Sequence, residues 1–119
     1  MRNFRRLQVW ERSHELTLRI YELTSLFPRE EIYGLTSQTR RACASIPTNI
    51  SEGCGRESPA DFARFLQIAV GSASETEYLI LLARDLKYLN TDQYVELIDQ
   101  IITIKKMLTA LLKNIRTKV

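Results

Sequence analysis

The sequence contains few of the residues that most catalytic and metal sites require. It has one histidine, and its two cysteines, Cys43 and Cys54, are eleven positions apart. These residues are too few for a zinc site and do not form a disulfide framework. No combination of histidine, nucleophile and acid follows a catalytic pattern, and no glycine-rich phosphate loop is present. The sequence therefore predicts a protein with no enzymatic activity, no metal and no cofactor.

Tight turns and long apolar runs are also scarce. Four glycines and three prolines are too few for a β-sandwich, which needs many tight turns. No run of about 18 apolar residues could cross a bilayer, and the basic residues 1–6 lead into no apolar segment of a signal peptide. We therefore expect a cytoplasmic protein with no membrane partner. A chain of 119 residues has the length of one domain, residues 1–119.

Apolar residues recur at helical spacing in four segments separated by short breaks. The segments cover about residues 7–27, 30–54, 59–89 and 91–119. Ser58 and Thr91 are predicted to cap the third and fourth helices. Because short connections make consecutive helices antiparallel, the pattern predicts an all-α, up-down-up-down four-helix bundle.

The third and fourth helices have more apolar residues than one core-facing stripe of a small bundle helix needs. Two interpretations remain open for this surplus. It widens the core, or it forms an exposed surface through which copies of the chain associate. The candidate residues for such an oligomer interface are Tyr78, Leu81, Leu82 and Ile102.

Positive charge is concentrated near the two chain termini. In the predicted bundle, residues 1–14, 50–65 and 105–119 lie at one end, which we call the proximal end. Their formal charges are +3, −1 and +5, which makes +7 in a chain whose net charge is +3. Such a surface attracts polyanions, above all nucleic acid. The candidate nucleic-acid-binding residues are Arg2, Arg5, Arg6, Arg12, Arg56, Arg64, Lys106, Lys113, Arg116 and Lys118.

These basic residues carry no motif for reading a base sequence. No helix-turn-helix, zinc-finger or RNA-recognition pattern is present, and the aromatic residues are not interleaved with the basic ones as a stacking platform requires. Binding of RNA or DNA would therefore be independent of sequence. The basic end of the fourth helix also has a structural explanation, because lysine and arginine interact favourably with the helix dipole there.

Two long motifs connect the chain with a known protein family. Residues 33–56 read YGLTSQTRRACASIPTNISEGCGR and residues 62–72 read FARFLQIAVGS, with LQVW at residues 7–10. Together they resemble the four-helix-bundle proteins encoded in intervening sequences of bacterial 23S ribosomal RNA genes. The resemblance implies an all-helical protomer, assembly into a homopentameric ring and no enzymatic activity.

That family is in turn similar to the accessory variability proteins of diversity-generating retroelements, which act with a reverse transcriptase and nucleic acid. By this analogy, one function for the chain is nucleic-acid binding. The alternative is a protein–protein adaptor or scaffold that docks a nucleic-acid enzyme such as a reverse transcriptase.

The motif in the second helix also contains polar residues three or four positions apart, which places them on one flank of that helix. Its two late glycines are predicted to end the helix in the left-handed conformation. Two interpretations remain open: a polar network that closes the helix end, or a binding site for an RNA or protein group. The residues concerned are Gln38, Arg41, Asn49, Glu52, Gly53, Gly55 and Arg56.

Overall fold

A computed structural model describes residues 2–117, and this part of the chain folds into α-helices with no β-strand. The helices are α1 (Gln8–Thr24), α2 (Leu35–Cys54), α3 (Pro59–Asp85) and α4 (Thr91–Thr117), with 3-10 turns at Phe4–Arg6 and Arg29–Glu31. The predicted all-α, four-helix architecture is confirmed. In the described part of the chain, no helix has an apolar stretch long enough to cross a membrane.

The four helices pack side by side around one core. α2 contacts α1 and α3, and α4 closes the bundle by contacting α3 and α1. Arg19 on α1 crosses to α4, where its guanidinium donates to the two carboxylate oxygens of Glu96 at 2.7 and 3.0 Å. These hydrogen bonds hold the pKa of Glu96 below its ordinary value and raise that of Arg19.

The core contains the apolar stripes that the helical spacing predicts. Its largest fully buried side chains are Phe62, Leu16, Ile20, Ile46, Ile50, Leu66, Leu79, Ile80, Leu97, Ile101, Ile104 and Leu108. Part of the apolar surplus of α3 and α4 widens this core, because Leu82, Ile98 and Met107 are half-buried against it. The remaining surplus faces solvent and is described below.

α2 begins at Leu35 and not near residue 30, as predicted. Residues 29–31 form a separate turn, and Gly34 departs from helical geometry with φ −112° and ψ −114°. Glu31 reaches forward from that turn, and its Oε1 accepts a hydrogen bond from the Leu35 N–H at 3.1 Å. Its Oε2 accepts a hydrogen bond from the Tyr88 hydroxyl at 3.0 Å. One carboxylate therefore caps α2 and ties it to the α3–α4 connection.

α3 ends at Asp85, earlier than the predicted end near residue 89. The cause is Lys87, which adopts the left-handed conformation with φ 68°. The Tyr88 N–H then donates to the Ala83 carbonyl, and the Lys87 N–H to the Arg84 carbonyl, both at 2.9 Å. These two bonds form a Schellman motif, which terminates the helix.

α4 is capped by Asn90, so the prediction of Thr91 as the cap was wrong. Asn90 Oδ1 accepts a hydrogen bond from the Gln93 N–H at 2.8 Å, and Gln93 Oε1 accepts one from the Asn90 N–H at 3.0 Å. This reciprocal pair is a capping box, and Thr91 becomes the first residue of the helix. At α3 the predicted cap is confirmed, because Ser58 Oγ accepts from the Asp61 N–H at 3.0 Å.

Candidate nucleic-acid interface

The bundle brings both ends of the described chain to the proximal end. The Arg2 N–H donates to the carbonyl of Cys54 at 3.0 Å, so the first residues lie against the end of α2. The Arg116 guanidinium donates to Gln67 Oε1 at 3.1 Å, so the end of α4 lies beside the first turns of α3. The basic residues near the two termini therefore share one end of the molecule.

Five of the candidate cations at the proximal end are exposed, and none of them forms an ion pair with another residue of 2–117. They are Arg2, Arg5, Arg6, Lys113 and Arg116. Lys106 is also exposed but lies near the middle of α4, where the adjacent Lys105 pairs with Glu77 of α3 at 3.0 Å. Arg12 is also exposed but lies along the side of the bundle, in the groove between α1 and α4 beside Glu15 and Glu96. Lys118 lies outside the described residues. An exposed cation without a carboxylate partner can contact phosphate without first losing an ion pair.

Arg56 and Arg64, two further candidates, are engaged within the protein. Arg56 lies 3.5 Å from Glu52 and 3.8 Å from Asp61, and Arg64 Nε donates to Asp61 Oδ1 at 2.9 Å. Both guanidinium groups also stack on the Phe65 ring, at 4.8 and 4.4 Å from its centre. These contacts hold the α2–α3 connection together, and the neighbouring carboxylates leave less of either charge for an external anion.

Aromatic and basic residues meet at the proximal end although they are not interleaved along the sequence. The Arg2 guanidinium lies 4.4 Å from the centre of the buried Phe62 ring, and that of Arg5 lies 4.9 Å from the Phe4 ring. Phe4 in turn contacts Trp10, with ring centres 4.9 Å apart. Because Phe62 is 60 positions from Arg2, no local sequence pattern could have indicated this contact.

The polar residues of the α2 motif separate into groups. Asn49 Nδ2 donates to the carbonyl and the hydroxyl of Ser45 at 2.8 and 2.9 Å, and the Ser45 hydroxyl lies 2.8 Å from that of Ser72 on α3. Glu52 and Arg56 form the second group, at the helix end. Gln38 and Arg41 are exposed in the first half of α2 and lie outside both groups.

The glycines near the end of α2 do not adopt the predicted left-handed conformation, since no glycine of the described chain has a positive φ. Gly55 caps α2 with φ −81°. Gly53 is buried, and a Cβ at this position would lie 2.9 Å from both Phe62 Cδ1 and Phe65 Cβ. Gly53 therefore allows the close approach of α2 to α3.

Two apolar surfaces lie on different sides of the bundle. The α3/α4 apolar surface consists of the exposed Tyr78 and Ile102 with the half-buried Leu81. Leu82, the fourth interface candidate, packs partly against the core. The α1 apolar surface consists of Leu18, with 58% of its area exposed, and Tyr21. The sequence did not predict this surface, although both residues stand outside the core stripe of α1.

Neither cysteine is placed to act as a nucleophile. Cys43 and Cys54 are both buried and free. Burial raises the pKa of Cys43 to about 11 and also raises that of Cys54. A higher pKa leaves less of the reactive thiolate at neutral pH.

Comparisons with known proteins agree with the motif analysis. A family model described as 23S rRNA-intervening sequence protein matches residues 5–110. The fold is similar to the crystal structure of a protein with unknown function from the S23 ribosomal protein family of Bacteroides thetaiotaomicron VPI-5482. The two are 32% identical, the match covers 88% of this chain and 95% of that chain, and the TM-score is 0.82. A comparison with curated protein sequences found no match.

Proposed function

This chain belongs to the 23S rRNA-intervening sequence protein family, and from that premise we propose that it is a non-enzymatic, cytoplasmic homo-oligomer that binds RNA or DNA through its proximal end. The observation that carries the proposal is the gathering of five exposed cations there, none paired with a carboxylate of residues 2–117. Neutralising phosphates with such cations releases counterions, which favours binding to any base sequence.

The two apolar surfaces support assembly into a ring. A contact between the α3/α4 apolar surface of one copy and the α1 apolar surface of the next joins two different patches, and such a heterologous contact can close into a ring. The number of five subunits comes from the family resemblance. If the axis of the ring runs parallel to the helices, the proximal ends of all subunits lie on one face of the ring. That face then attracts a polyanion more strongly than one subunit does.

Salt-dependent binding of a labelled oligonucleotide tests the nucleic-acid function. One variant changes Arg6, Lys113 and Arg116 to Gln, and a matched control changes Arg29, Arg84 and Lys87, which lie toward the opposite end, to Gln. We expect the first variant to reduce the slope of log affinity against log salt by about 2 to 3, roughly one unit for each lost phosphate contact. The control should keep the slope. No binding at low ionic strength, or equal losses in both variants, would contradict the proposal.

A protein adaptor is the second candidate, and the connection between α1 and α2 favours it. Tyr33 is 95% exposed there, and Leu26 and Ile32 are also exposed. Such residues, far from the proximal end, offer a patch for a protein partner. A partner captured from nuclease-treated lysate by the wild-type chain, but not by Tyr33→Ser, would assign this function. If nuclease treatment releases the partner, the partner is held through nucleic acid, and the nucleic-acid function is favoured instead.

A further inference from the structure

A mostly apolar depression lies between the start of α3 and the end of α4, within the proximal end. Its lining residues are Ala60, Ala63, Arg64, Gln67, Ile68 and Arg116, and its volume is about 720 Å³. This size falls in the range of about 300–1,000 Å³ found for small-ligand sites. A smaller depression of about 430 Å³ adjoins it, shares Gln67 and Arg116, and adds Val70, Leu112 and Lys113.

The lining is apolar because α3 places small and aliphatic residues at this point. Ala60 is exposed, Ala63 is buried at the base of the depression, and Ile68 is 42% exposed. Water in contact with an exposed isoleucine is unfavourable compared with an apolar cover. A ligand that places a flat apolar group on Ile68 therefore gains free energy by excluding that water.

The polar side chains around the depression point to an anionic ligand. Arg64, Lys113 and Arg116 are the charged residues that line the two depressions. Arg64 is paired with Asp61, whereas Lys113 and Arg116 form no ion pair with a residue of 2–117. The hydrogen bond from Arg116 to Gln67, at 3.1 Å, holds the guanidinium between the two depressions. Further unpaired cations continue across the proximal end, and they match a long polyanion better than a short acidic peptide.

We propose that this depression holds an unpaired base of a single-stranded RNA or DNA, with the adjoining phosphates at Arg116 and Lys113. The proposal rests on the proposed nucleic-acid function and names its substrate class. A single strand presents the faces of its bases, which can cover Ile68, whereas a duplex stacks its bases inside and presents phosphates. The chain should therefore prefer single strands to duplexes of the same sequence.

Fluorescence anisotropy with full-length protein tests this preference. The probes are RNA and DNA oligonucleotides of about 20 nucleotides, because one single-strand-binding fold covers about 4 to 16 nucleotides. Each is measured as a single strand and as a duplex. The variant Ile68→Ser removes the aliphatic cover without changing charge, and Leu26→Ser removes an exposed leucine near the opposite end as the control. Light scattering and circular dichroism establish that the variants keep their assembly and fold.

We expect wild-type protein to bind single strands at least about 10-fold more tightly than duplexes. Ile68→Ser should lower the affinity for single strands about 5- to 10-fold, which is the loss expected when one aliphatic side chain no longer covers the base. Duplex affinity, and both affinities of Leu26→Ser, should stay unchanged. The comparison of RNA with DNA oligonucleotides shows which of the two nucleic acids the protein prefers.

Equal affinity for single strand and duplex would overturn this inference and leave the proposed function standing, whereas absence of all binding at low salt would overturn both. Unchanged single-strand affinity in Ile68→Ser would also overturn it. A competition experiment with a peptide of alternating leucine and glutamate gives a further test. If the peptide displaces the oligonucleotide from wild-type protein but does not bind Ile68→Ser, the depression binds an acidic protein segment and the inference is overturned.

Discussion

Gly53 occupies a point where the end of α2 packs closely on the start of α3. The residue is buried, and contacts of 2.9 Å between a Cβ and both Phe62 and Phe65 are too short for an unstrained side chain. Gly55, two residues later, is exposed, and a Cβ there would lie 3.4 Å from the Glu52 carbonyl. Two glycines of one motif therefore have different physical roles.

Gly53→Ala should lower the free energy of unfolding by about 1–2 kcal/mol, because the strain of overpacking exceeds the gain in helix propensity. Gly55→Ala, the matched control, should change it by less than about 1 kcal/mol. Urea denaturation of both variants measures the difference. If Gly53→Ala is as stable as wild type, the two helices can move apart enough to accommodate the Cβ without loss of unfolding free energy.

The Thr17 hydroxyl on α1 is the polar group beside a carbonyl of α2 that Pro47 leaves without its helical donor. Proline has no N–H, so the carbonyl of Cys43, four residues earlier, loses its helical donor. The Thr17 hydroxyl lies 3.5 Å from this carbonyl and donates to the Ser13 carbonyl at 2.7 Å. Both Thr17 and Pro47 are buried, so water cannot replace the missing donor.

Thr17→Val should cost about 1–2 kcal/mol of stability, since it keeps the shape of the side chain but removes the hydrogen bond to Ser13 and the polar group beside the Cys43 carbonyl. In a Pro47→Ala background, the new N–H can bond that carbonyl, and the same substitution should cost about 0.5–1 kcal/mol less. Thermal or urea unfolding of the four proteins completes the double-mutant cycle. Equal costs in both backgrounds would mean that Thr17 does not act through this carbonyl.

At the scale of helices, the end of α3 depends on a residue in an unfavourable conformation. Lys87 holds φ 68° in the Schellman motif, where its Cβ crowds the backbone. Lys87→Gly should raise the free energy of unfolding by about 1 kcal/mol, because glycine adopts this conformation without strain. Glu75→Gly, at an exposed position inside the same helix, should lower it by about 1 kcal/mol. Opposite signs in thermal unfolding would establish the role of the motif, and a loss in both variants would refute it.

The sequence predicted the four helices because each needs only a repeated apolar stripe and local end signals. It predicted the ends less well. Thr91 and Asn90 are neighbouring cap formers, and the choice required noticing that Gln93 stands three residues after Asn90, as a capping box demands. The start of α2 could not be predicted in this way, because its cap is the carboxylate of Glu31 in the preceding turn.

At the scale of the whole molecule, the two apolar surfaces predict association. Tyr78 and Ile102 are exposed, so changing both to Lys should leave the fold intact and place charges in the proposed contact between copies. Light scattering of wild type should give about five times the 13.8 kDa of one chain, and the double variant a smaller mass. Leu26→Lys is the control and should keep the assembly. A monomeric wild type, or a double variant of unchanged mass, would contradict the ring.

The sequence alone determined the all-α class, the antiparallel order of the helices and the family, because apolar periodicity and contiguous motifs are local properties of the chain. It also indicated that positive charge would collect where the two termini meet. Only the tertiary structure decided the contacts between helices. Arg56 reaches Asp61 and the Phe65 ring on α3, and Arg116 donates to Gln67 on α3, whereas the Asp61–Arg64 pair follows from a spacing of three residues within one helix. The reason is physical. The helical repeat specifies which face of its helix a residue occupies, but its partner on a second helix depends on the distance between the two helices and on their relative position along the bundle axis.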